Sequence, residues 1–482
     1  MKHLFPIGLL VALGIIGVIL LFTVSRTLSA QTTTTMNRGQ LQEAIAQAET
    51  AFNAAPENLD QRVALATLHY QSGHFETAHD LIEPVYNTSL AATELMVKLE
   101  YLFGHYDRAE AITRQAMTDN PLNIEIQLAG QMMLTNIYYH TNRFAQIQDS
   151  INLIQQIRAA GGQLDLRGVE EWLTWLSSFS DSPYSVNWGT VEQTVLPFLA
   201  TDPLPVVTVE VNGIAINAII DTGGAAFILD TALAASLGLE ISASMPQTYG
   251  GGLQADTGLT RIDSLTLGDI TLHNVPVMTL GVTEATNGLQ YGYPIQAIVS
   301  TNVLEQFLAT IDYPSGRLIL RPKTDAALDA VQQQNAGSVV TEVPFYLADV
   351  HQMMVKGTLN TEQDMTFFVD SGLAHAAAIS APIQTLEYLG IPIPETVLDE
   401  ANRGGGGAFP SGSFSVDVLG IGSLQQENVL GEYGAMTPET YWANDFIQDG
   451  LISHNFLRRY AWTIDFTNRV MIFAESPSGQ IG

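Results

Sequence analysis

The sequence lacks cysteine and is poor in cationic side chains. Its 482 residues include no Cys, 19 Lys and Arg, and 49 Asp and Glu, which gives a formal net charge of -30. The absence of Cys excludes disulfides, thiolate zinc sites and Cys nucleophiles. The shortage of Lys and Arg argues against binding to nucleic acid or anionic lipid, because phosphate contacts need clustered cations. The length predicts roughly three domains, at the usual ~100–200 residues per domain.

An apolar run at the N-terminus, Leu4 to Val24, is long enough to cross a bilayer, which takes about 20 residues. Lys2 precedes it and favours an inside N-terminus, so the rest of the chain would lie outside the cytoplasm. We expect residues 1–30 to be a signal peptide or a membrane anchor. The anchor is favoured, because Leu28 is a poor residue at the third position before a cut at Ala30. The expected location is the bacterial periplasm, with the protein either anchored to the inner membrane or released after signal cleavage.

Residues 38–176 have helical apolar spacing and contain a repeated pattern. Tyr-x-x-Gly-x-aromatic-x-x-Ala occurs at Tyr70–Ala78 and again 31 residues later at Tyr101–Ala109. A third copy, at Tyr139–Phe144, has Asn142 in place of the Gly. The pattern resembles tetratricopeptide repeats, whose period is ~34 residues. The resemblance implies stacked helical hairpins with a groove for an extended peptide or a partner protein. A brace packed on the following domain is the alternative.

From about Val191 onward, short β-rich runs alternate with Gly, Asn, Asp and Pro, which predicts strands joined by turns. This half of the chain contains matching landmarks. The motif Asp221-Thr222-Gly223 recurs 149 residues later as Asp370-Ser371-Gly372, and Ala297–Leu304 recurs 153 residues later as Gly450–Leu457. Such similar offsets predict one β fold used twice. The two predicted units are residues 190–323 and 338–475. A polar segment that favours a helix, residues 325–338, lies between them.

Each Asp motif ends an apolar run and is followed by a Gly-rich stretch. The combination resembles a lobe of the retropepsin-like aspartic peptidases, of the bacterial kind with both lobes on one chain. The resemblance covers about residues 191–475 and implies an all-β bilobal acid-protease fold whose active pair needs no dimerisation. The predicted fold class is therefore multidomain. An N-terminal membrane or signal helix is followed by all-α helical-hairpin repeats and then by the all-β bilobal part.

Asp221 and Asp370 are the expected catalytic pair. Two carboxyl groups about 3 Å apart cannot both ionise, so they share a proton. The ionised carboxyl takes a proton from water, and the protonated one supports the carbonyl oxygen of the peptide. Because the two motifs are alike, the sequence does not assign these roles to one Asp or the other.

Further residues are expected to support the pair. Thr222 and Ser371 can form hydrogen bonds across the lobe interface, while Gly223 and Gly372 let backbone amides approach the carboxylates. Gly-rich flaps would close over the substrate and exclude water. The flap candidates are Tyr249, Gly250, Gly251, Gly405 and Gly406. Tyr249 is a candidate for contact with the substrate or the Asp pair, and a flexible hairpin is the alternative.

Two features depart from the family pattern. The resemblance implies a Gly in the apolar strand beneath each active-site loop, where this chain has Ser300 and Ser453. Ser is small enough to fit, but the change leaves the loop geometry open. His375 follows the second motif, and a surface or supporting role is expected for it.

The sequence thus predicts an aspartic endopeptidase with a helical repeat domain that docks its substrate or a partner protein. A non-catalytic peptide-binding or scaffold protein of the cell envelope is the alternative. A third interpretation makes the helical domain the functional part and the β lobes vestigial. Expected partners are an extended peptide or protein substrate and a protein partner on the repeats, with membrane contact through the N-terminal helix only. No metal, cofactor or nucleic acid is expected, because the His residues show no metal-ligand spacing and no Walker loop occurs.

Overall fold

The computed structural model describes residues 10–12, 36–159, 167–179, 182–374 and 376–475. The predicted signal peptide or anchor at 1–30 lies outside this range, except for Leu10–Ala12, which form a short strand (β1) parallel to residues 402–404. Among the described residues, no helix combines the length and the apolar character needed to span a bilayer. The order of a helical region followed by a β-rich region is as predicted.

Four helices of the N-terminal region begin at polar caps, and the helices stack as hairpins. The helices are α1 (Arg38–Ala54), α2 (Leu59–Gln71), α3 (Phe75–Ile82), α4 (Leu90–Leu102), α5 (Tyr106–Asp119), α6 (Ile124–His140), α7 (Gln148–Ala159) and α8 (Arg167–Ser177). Side chains of Asn37, Asn58, Ser89 and Asn123 accept hydrogen bonds from backbone amides of the first turns of α1, α2, α4 and α6. Such caps satisfy amides that have no partner within the helix.

The repeated pattern forms the turns between paired helices. Gly73, Gly104 and Asn142 occupy these turns with φ of 81°, 80° and 54°. Gly adopts positive φ without strain, and Asn tolerates it better than most residues, so Asn142 preserves the turn where the Gly is missing. A Cβ on Gly73 would overlap the Thr366 side chain. The side-chain amide of Asn142 donates from Nδ2 to Gln306 Oε1 at 2.9 Å. The turn edge of the repeats therefore packs on the β region.

The β region consists of two units with corresponding strands. The first unit contains β2 (Ser185–Asn187), β3 (Thr194–Pro197), β4 (Val206–Val211), β5 (Ile214–Asp221), β6 (Phe227–Asp230), β7 (Ala243–Thr248), β8 (Gln254–Leu267), β9 (Ile270–Leu280), β10 (Ala297–Ser300), β11 (Leu308–Asp312) and β12 (Arg317–Arg321). Its helices are α9 (Thr231–Ser236), α10 (Val282–Thr286) and α11 (Thr301–Leu304). The strands are rich in β-branched residues, and β4 alternates buried and exposed positions along most of its length, as a half-buried strand does.

The second unit repeats this order after the linking helix α12 (Asp325–Gln334). Its strands are β13 (Val339–Ala348), β14 (Gln352–Leu359), β15 (Glu362–Val369), β16 (Ile379–Ser380), β17 (Val397–Gly404), β18 (Gly407–Ile421), β19 (Leu424–Tyr433), β20 (Gly450–Ile452), β21 (Ala461–Asp465) and β22 (Val470–Glu475). Its helices are α13 (Ile383–Leu389) and α14 (His454–Leu457). We call the two units the first and second lobe.

A shared antiparallel sheet joins the lobes, in the order β3-β12-β11-β21-β22-β13. Its central pair is β11 with β21, where Thr310 lies opposite Thr463 and their Oγ1 atoms are 2.7 Å apart. The strands on one side of this pair match those on the other, so the lobes are related by an approximate twofold axis through the two threonines. This relation places equivalent loops of the two lobes face to face.

Candidate active site

Asp221 and Asp370 lie at the ends of equivalent buried strands. Asp221 ends β5, and Asp370 directly follows β15. Each strand has a parallel neighbour, β10 or β20, and the apolar residues directly before each Asp are buried. Both Asp side chains are 0% exposed. The approximate twofold axis then brings the two strand ends together.

Each glycine of the two motifs packs against the carboxyl group of the other lobe. A Cβ on Gly223 would lie 2.5 Å from Cγ of Asp370, and a Cβ on Gly372 would overlap the carboxyl of Asp221. Any side chain at either position would collide with the opposite Asp. The predicted need for Gly is therefore explained by the approach of the opposite carboxyl.

Thr222 and Ser371 form a reciprocal set of hydrogen bonds across the interface. The amide of Thr222 donates to Ser371 Oγ at 3.0 Å, and the amide of Ser371 donates to Thr222 Oγ1 at 3.0 Å. Each hydroxyl in turn donates to a carbonyl of the opposite strand, Thr222 to Val369 at 3.1 Å and Ser371 to Ile220 at 3.2 Å. The predicted hydrogen bonds between the lobes are thus present, and they lock the two loops to each other.

Backbone amides hold one oxygen of each carboxyl group. Gly223 N–H donates to Asp221 Oδ1 at 2.7 Å, and Gly372 N–H donates to Asp370 Oδ1 at 2.8 Å. Neither Oδ2 atom has a partner with full hydrogen-bond geometry in the described chain, although both atoms are buried. Buried polar atoms normally find partners. These two oxygens are available to bind a water molecule.

Burial shifts the acidity of both carboxyl groups. It raises the pKa of Asp221 to about 6, an effect opposed by the hydrogen bonds from the Gly223 amide and with the Asp370 carboxyl. Burial and then the negative charge of Asp221 raise the pKa of Asp370 well above its ordinary value. A second ionisation is opposed by the first, so the pair retains one proton over a wide pH range.

The two Gly-rich stretches meet each other. The first includes Gly250 and Gly251 between β7 and β8, and the second includes Gly405 and Gly406 between β17 and β18. A Cβ on Gly405 would lie 2.7 Å from the Tyr249 ring, and one on Gly406 would lie 2.7 Å from Leu253 Cβ. Gly251 N–H donates to the Ala435 carbonyl of the second lobe at 2.8 Å. We call these two hairpins the flaps.

Tyr249, proposed as a contact to substrate or to the Asp pair, forms its hydrogen bond inside its own flap. Its hydroxyl lies 2.8 Å from Thr257 Oγ1, and the side chain is 6% exposed. The ring packs against Gly405 of the other flap. In this closed arrangement Tyr249 joins the two flaps.

The serines beneath the active-site loops are accommodated differently in the two lobes. Ser300 pairs in register with Asp221, and its Oγ would lie 2.5 Å from a Cβ on Gly224. The absence of a side chain at Gly224 therefore makes room for Ser300. In the second lobe Ser453 Oγ donates to the Ala377 carbonyl at 2.5 Å. His375 lies outside the described residues.

One cluster of possible metal ligands lies far from the Asp pair in sequence. His79, Glu83 and Glu100 place ligand atoms within 4.8 Å of one another in the described part of the helical region. Arg108 contacts Glu83 Oε1 at 2.7 Å and Glu100 Oε1 at 2.9 Å. The Arg guanidinium thus supplies the positive charge in this cluster.

Sequence reasoning missed a contact from the helical region to the first active-site loop. Tyr139 Oη donates to the Ala225 carbonyl at 2.8 Å, four residues after Asp221. The repeat pattern indicated that Tyr139 would fill a gap between helices. In the sequence, only the position of Tyr139 beside the turn of the third repeat indicates a contact outside the repeats.

Two segments match known families. Residues 207–293, which carry Asp221 and the first flap, match the family model described as aspartyl protease. Residues 37–116 match the model described as anaphase-promoting complex, cyclosome, subunit 3. The predicted resemblances, retropepsin-like in the β region and tetratricopeptide-like in the helical region, are confirmed at these segments.

No match is found among curated proteins. Among solved structures, the chain is similar to a retropepsin-like aspartic protease from Rickettsia conorii, with 15% identity and a TM-score of 0.21. The similarity covers 29% of this chain and 93% of that chain.

Proposed function

We propose that this chain is an aspartic endopeptidase in which Asp221 and Asp370 activate water for attack on a peptide bond. The observation that carries the proposal is the reciprocal contact of the two motifs, in which each Gly lies against the opposite carboxyl. The aspartyl protease match at 207–293 supports it for the first lobe. The second lobe extends the proposal because Asp370 occupies the equivalent position.

The shared proton divides the work between the two carboxyl groups. The ionised Asp accepts a proton from water as the water oxygen attacks the peptide carbonyl carbon. The protonated Asp donates its proton to the carbonyl oxygen, so a neutral gem-diol forms. The Asp that received the proton then protonates the leaving nitrogen as the C–N bond breaks. One hydroxyl proton returns to the other Asp, which leaves a carboxylic acid and an amine as products and restores the shared proton.

The flaps and the helical region would determine access to this site. Closed flaps exclude bulk water, which strengthens electrostatic interactions at the carboxyl groups. An extended peptide would lie between the flaps and the Asp pair and form backbone hydrogen bonds with the flap strands. The repeats would contribute docking of substrate or of a protein partner. The apolar run at residues 4–24 supports an extracytoplasmic location, with the protein anchored or released.

The decisive experiment is cleavage of a denatured protein mixture by the wild-type chain, Asp221→Asn and Asp370→Asn. Each variant keeps an oxygen for its Gly amide but removes an ionisable group, so each should lower the rate by at least a thousandfold. Asp329→Asn is the matched control, since Asp329 is exposed on α12. It should retain the wild-type rate.

Equal cleavage by the wild type and both variants would reject the mechanism. Absence of cleavage by the wild type, together with tight binding of unfolded peptides, would instead favour the non-catalytic peptide-binding protein.

A further inference from the structure

We infer that Tyr139 is a positioning residue for the first active-site loop, so that the helical repeats form part of the catalytic unit. The inference rests on the proposed function and extends it to a residue outside both lobes. It follows from a set of buried contacts between the end of α6 and the segment that carries Asp221. These contacts are made to the protein's own active-site loop, whereas docking would involve contacts to a separate molecule.

The hydrogen bond from Tyr139 reaches the loop directly. Its hydroxyl donates to the Ala225 carbonyl at 2.8 Å, and the side chain is buried. The ring stacks on Phe144 and Trp172 of the helical region, with centroid separations of 5.8 Å and 6.4 Å. Stacking on both rings restricts the Tyr139 side chain, so the hydroxyl is held at a fixed place. Ala225 is thereby tied to a rigid helical element.

A second contact reaches the same loop through α11. Thr301 donates from its amide to the Gly224 carbonyl at 3.1 Å and from its hydroxyl to the Thr222 carbonyl at 2.8 Å. At the end of α11, Glu305 pairs with His140, the residue next to Tyr139, at 2.9 Å. The end of α6 therefore contacts the loop at Ala225 and also the short helix that supports the loop from below.

The flap of the first lobe is held by the same region. Trp175 of α8 donates from Nε1 to the Thr260 carbonyl of β8 at 2.8 Å. Trp175 is 3% exposed, so this bond is shielded from water. The helical region thus contacts both the loop that carries Asp221 and β8, the strand that continues from the first flap.

The second lobe is supported in another way. The residue equivalent to Thr301 is His454, which donates from its amide to Leu373 O at 3.4 Å. The His454 ring contacts Asp202 at 3.1 Å, and Asn455 donates to the Ala376 carbonyl at 2.6 Å. These partners all belong to the β region. At these equivalent positions the helical region donates a hydrogen bond to the first-lobe loop, whereas the three second-lobe contacts come from the β region.

Loop position matters because hydrolysis needs both carboxyl groups at short range in fixed orientation. A displacement of about 1 Å at a reacting group can lower a rate by two orders of magnitude. Loss of the Tyr139 hydroxyl leaves the Ala225 carbonyl buried without that donor, and the loop gains freedom. We expect the catalytic rate to fall while substrate binding along the rest of the cleft is retained.

The test compares Tyr139→Phe with Tyr138→Phe in the full chain. Tyr138 is the neighbouring tyrosine on α6, also buried, and its hydroxyl bonds to Arg114 within the helical region. Tyr139→Phe should lower kcat about tenfold with KM within twofold of the wild type. It should also increase amide hydrogen exchange at residues 221–227 severalfold. Tyr138→Phe should change neither measurement.

Glu305→Gln is a second variant, which weakens the contact to His140 at nearly constant size. It should lower kcat and increase exchange in the same loop to a smaller degree. Unchanged exchange at 221–227 in both Tyr139→Phe and Glu305→Gln would overturn the inference, as would equal effects of Tyr138→Phe and Tyr139→Phe. If the wild type cleaves nothing while exchange rises in Tyr139→Phe alone, the proposed function fails and the positioning contact stands.

Discussion

Surroundings distinguish Asp221 and Asp370 from Asp449. Asp449 is also buried, but Arg38 binds both of its oxygens. In the described part of the chain, Asp221 and Asp370 interact with backbone amides and with each other's carboxyl group, and no cation pairs with either one. A buried carboxyl without a cation favours its neutral form, which is the condition for a shared proton.

Stability of the wild type should fall as pH rises, because of these two groups. The folded-state pKa of Asp221 is raised from 3.8 to about 6. Its contribution to stability is therefore fully present below the unfolded-state value and is lost as pH rises through about 6. Asp221→Asn stays neutral, so relative to the wild type it should gain up to roughly 3 kcal/mol between pH 4 and pH 8.

Thermal unfolding of the wild type, Asp221→Asn and the exposed control Asp329→Asn at pH 4 and pH 8 measures this effect. The melting temperature of Asp221→Asn should exceed that of the wild type by several degrees more at pH 8 than at pH 4. The control should follow the wild type at both values. A difference between Asp221→Asn and the wild type that does not change with pH would contradict the assignment of a raised pKa.

Among the elements, the two flaps are interlocked. Gly251 has φ of 73° and leaves room for the Phe409 ring of the opposite flap, which a Cβ would overlap. Gly405 and Gly406 give the same close approach to Tyr249 and Leu253. Small residues at both tips therefore allow the hairpins to close against each other, and opening must separate these contacts.

Gly251→Ala should weaken flap closure. The control is Gly213→Ala, because Gly213 has a similar φ of 81° but no atom within 4 Å of its added Cβ. Both variants place Ala in a left-handed conformation at a cost of about 1 kcal/mol. Only Gly251→Ala also displaces Phe409, so it should increase hydrogen exchange at residues 249–253 and 404–409 and lower activity at least tenfold. Similar exchange in the two variants would contradict the interlock.

The elements that could be predicted from sequence are those marked by repetition. Two Asp motifs at equivalent positions of the repeated units predicted strands that end at facing loops. The repeat pattern predicted the helix hairpins. The flap contacts could not be predicted, because Gly405 and Tyr249 are far apart in sequence and nothing local specifies their approach. Likewise, Gly224 and Ser300 compensate each other in volume, which becomes visible only when β5 and β10 are paired.

Across the whole molecule, the helical region and the lobes share buried contacts over very long sequence separations. Arg38 at the start of α1 pairs with Asp449, and the two side chains are 4% and 1% exposed. Asp449 also accepts the Thr366 amide at 2.8 Å. The repeat pattern predicted the helices but not that their turns pack on the β region. The Gly73 and Gly104 turns follow the same pattern, and that pattern does not specify what each turn contacts. These contacts show that the repeats pack on the lobes, as a brace would.

Arg38→Met should destabilise the whole molecule, because it leaves Asp449 as a buried charge without its cation. The expected loss is about 3–5 kcal/mol of unfolding free energy. Arg158→Met is the control, since Arg158 pairs with Glu170 at a half-exposed site and should cost at most about 1 kcal/mol. Arg38→Met/Asp449→Asn should recover part of the loss.

Urea unfolding followed by both circular dichroism and tryptophan fluorescence measures this loss. Helical and β signals should shift together in Arg38→Met. A shift of the helical signal alone would show that the repeats and the lobes unfold as separate units.

The pairing of Thr310 with Thr463 has a consequence for how this protein can change over evolutionary time. A homodimer carries every substitution on both sides of its symmetry axis. Here the two halves are separate stretches of one chain, so a change on one side of the cleft leaves the other side as it was. The differing environments of Ser300 and Ser453 are one such divergence. In the proposed endopeptidase, the residues on the two sides of the scissile bond are therefore free to evolve independently.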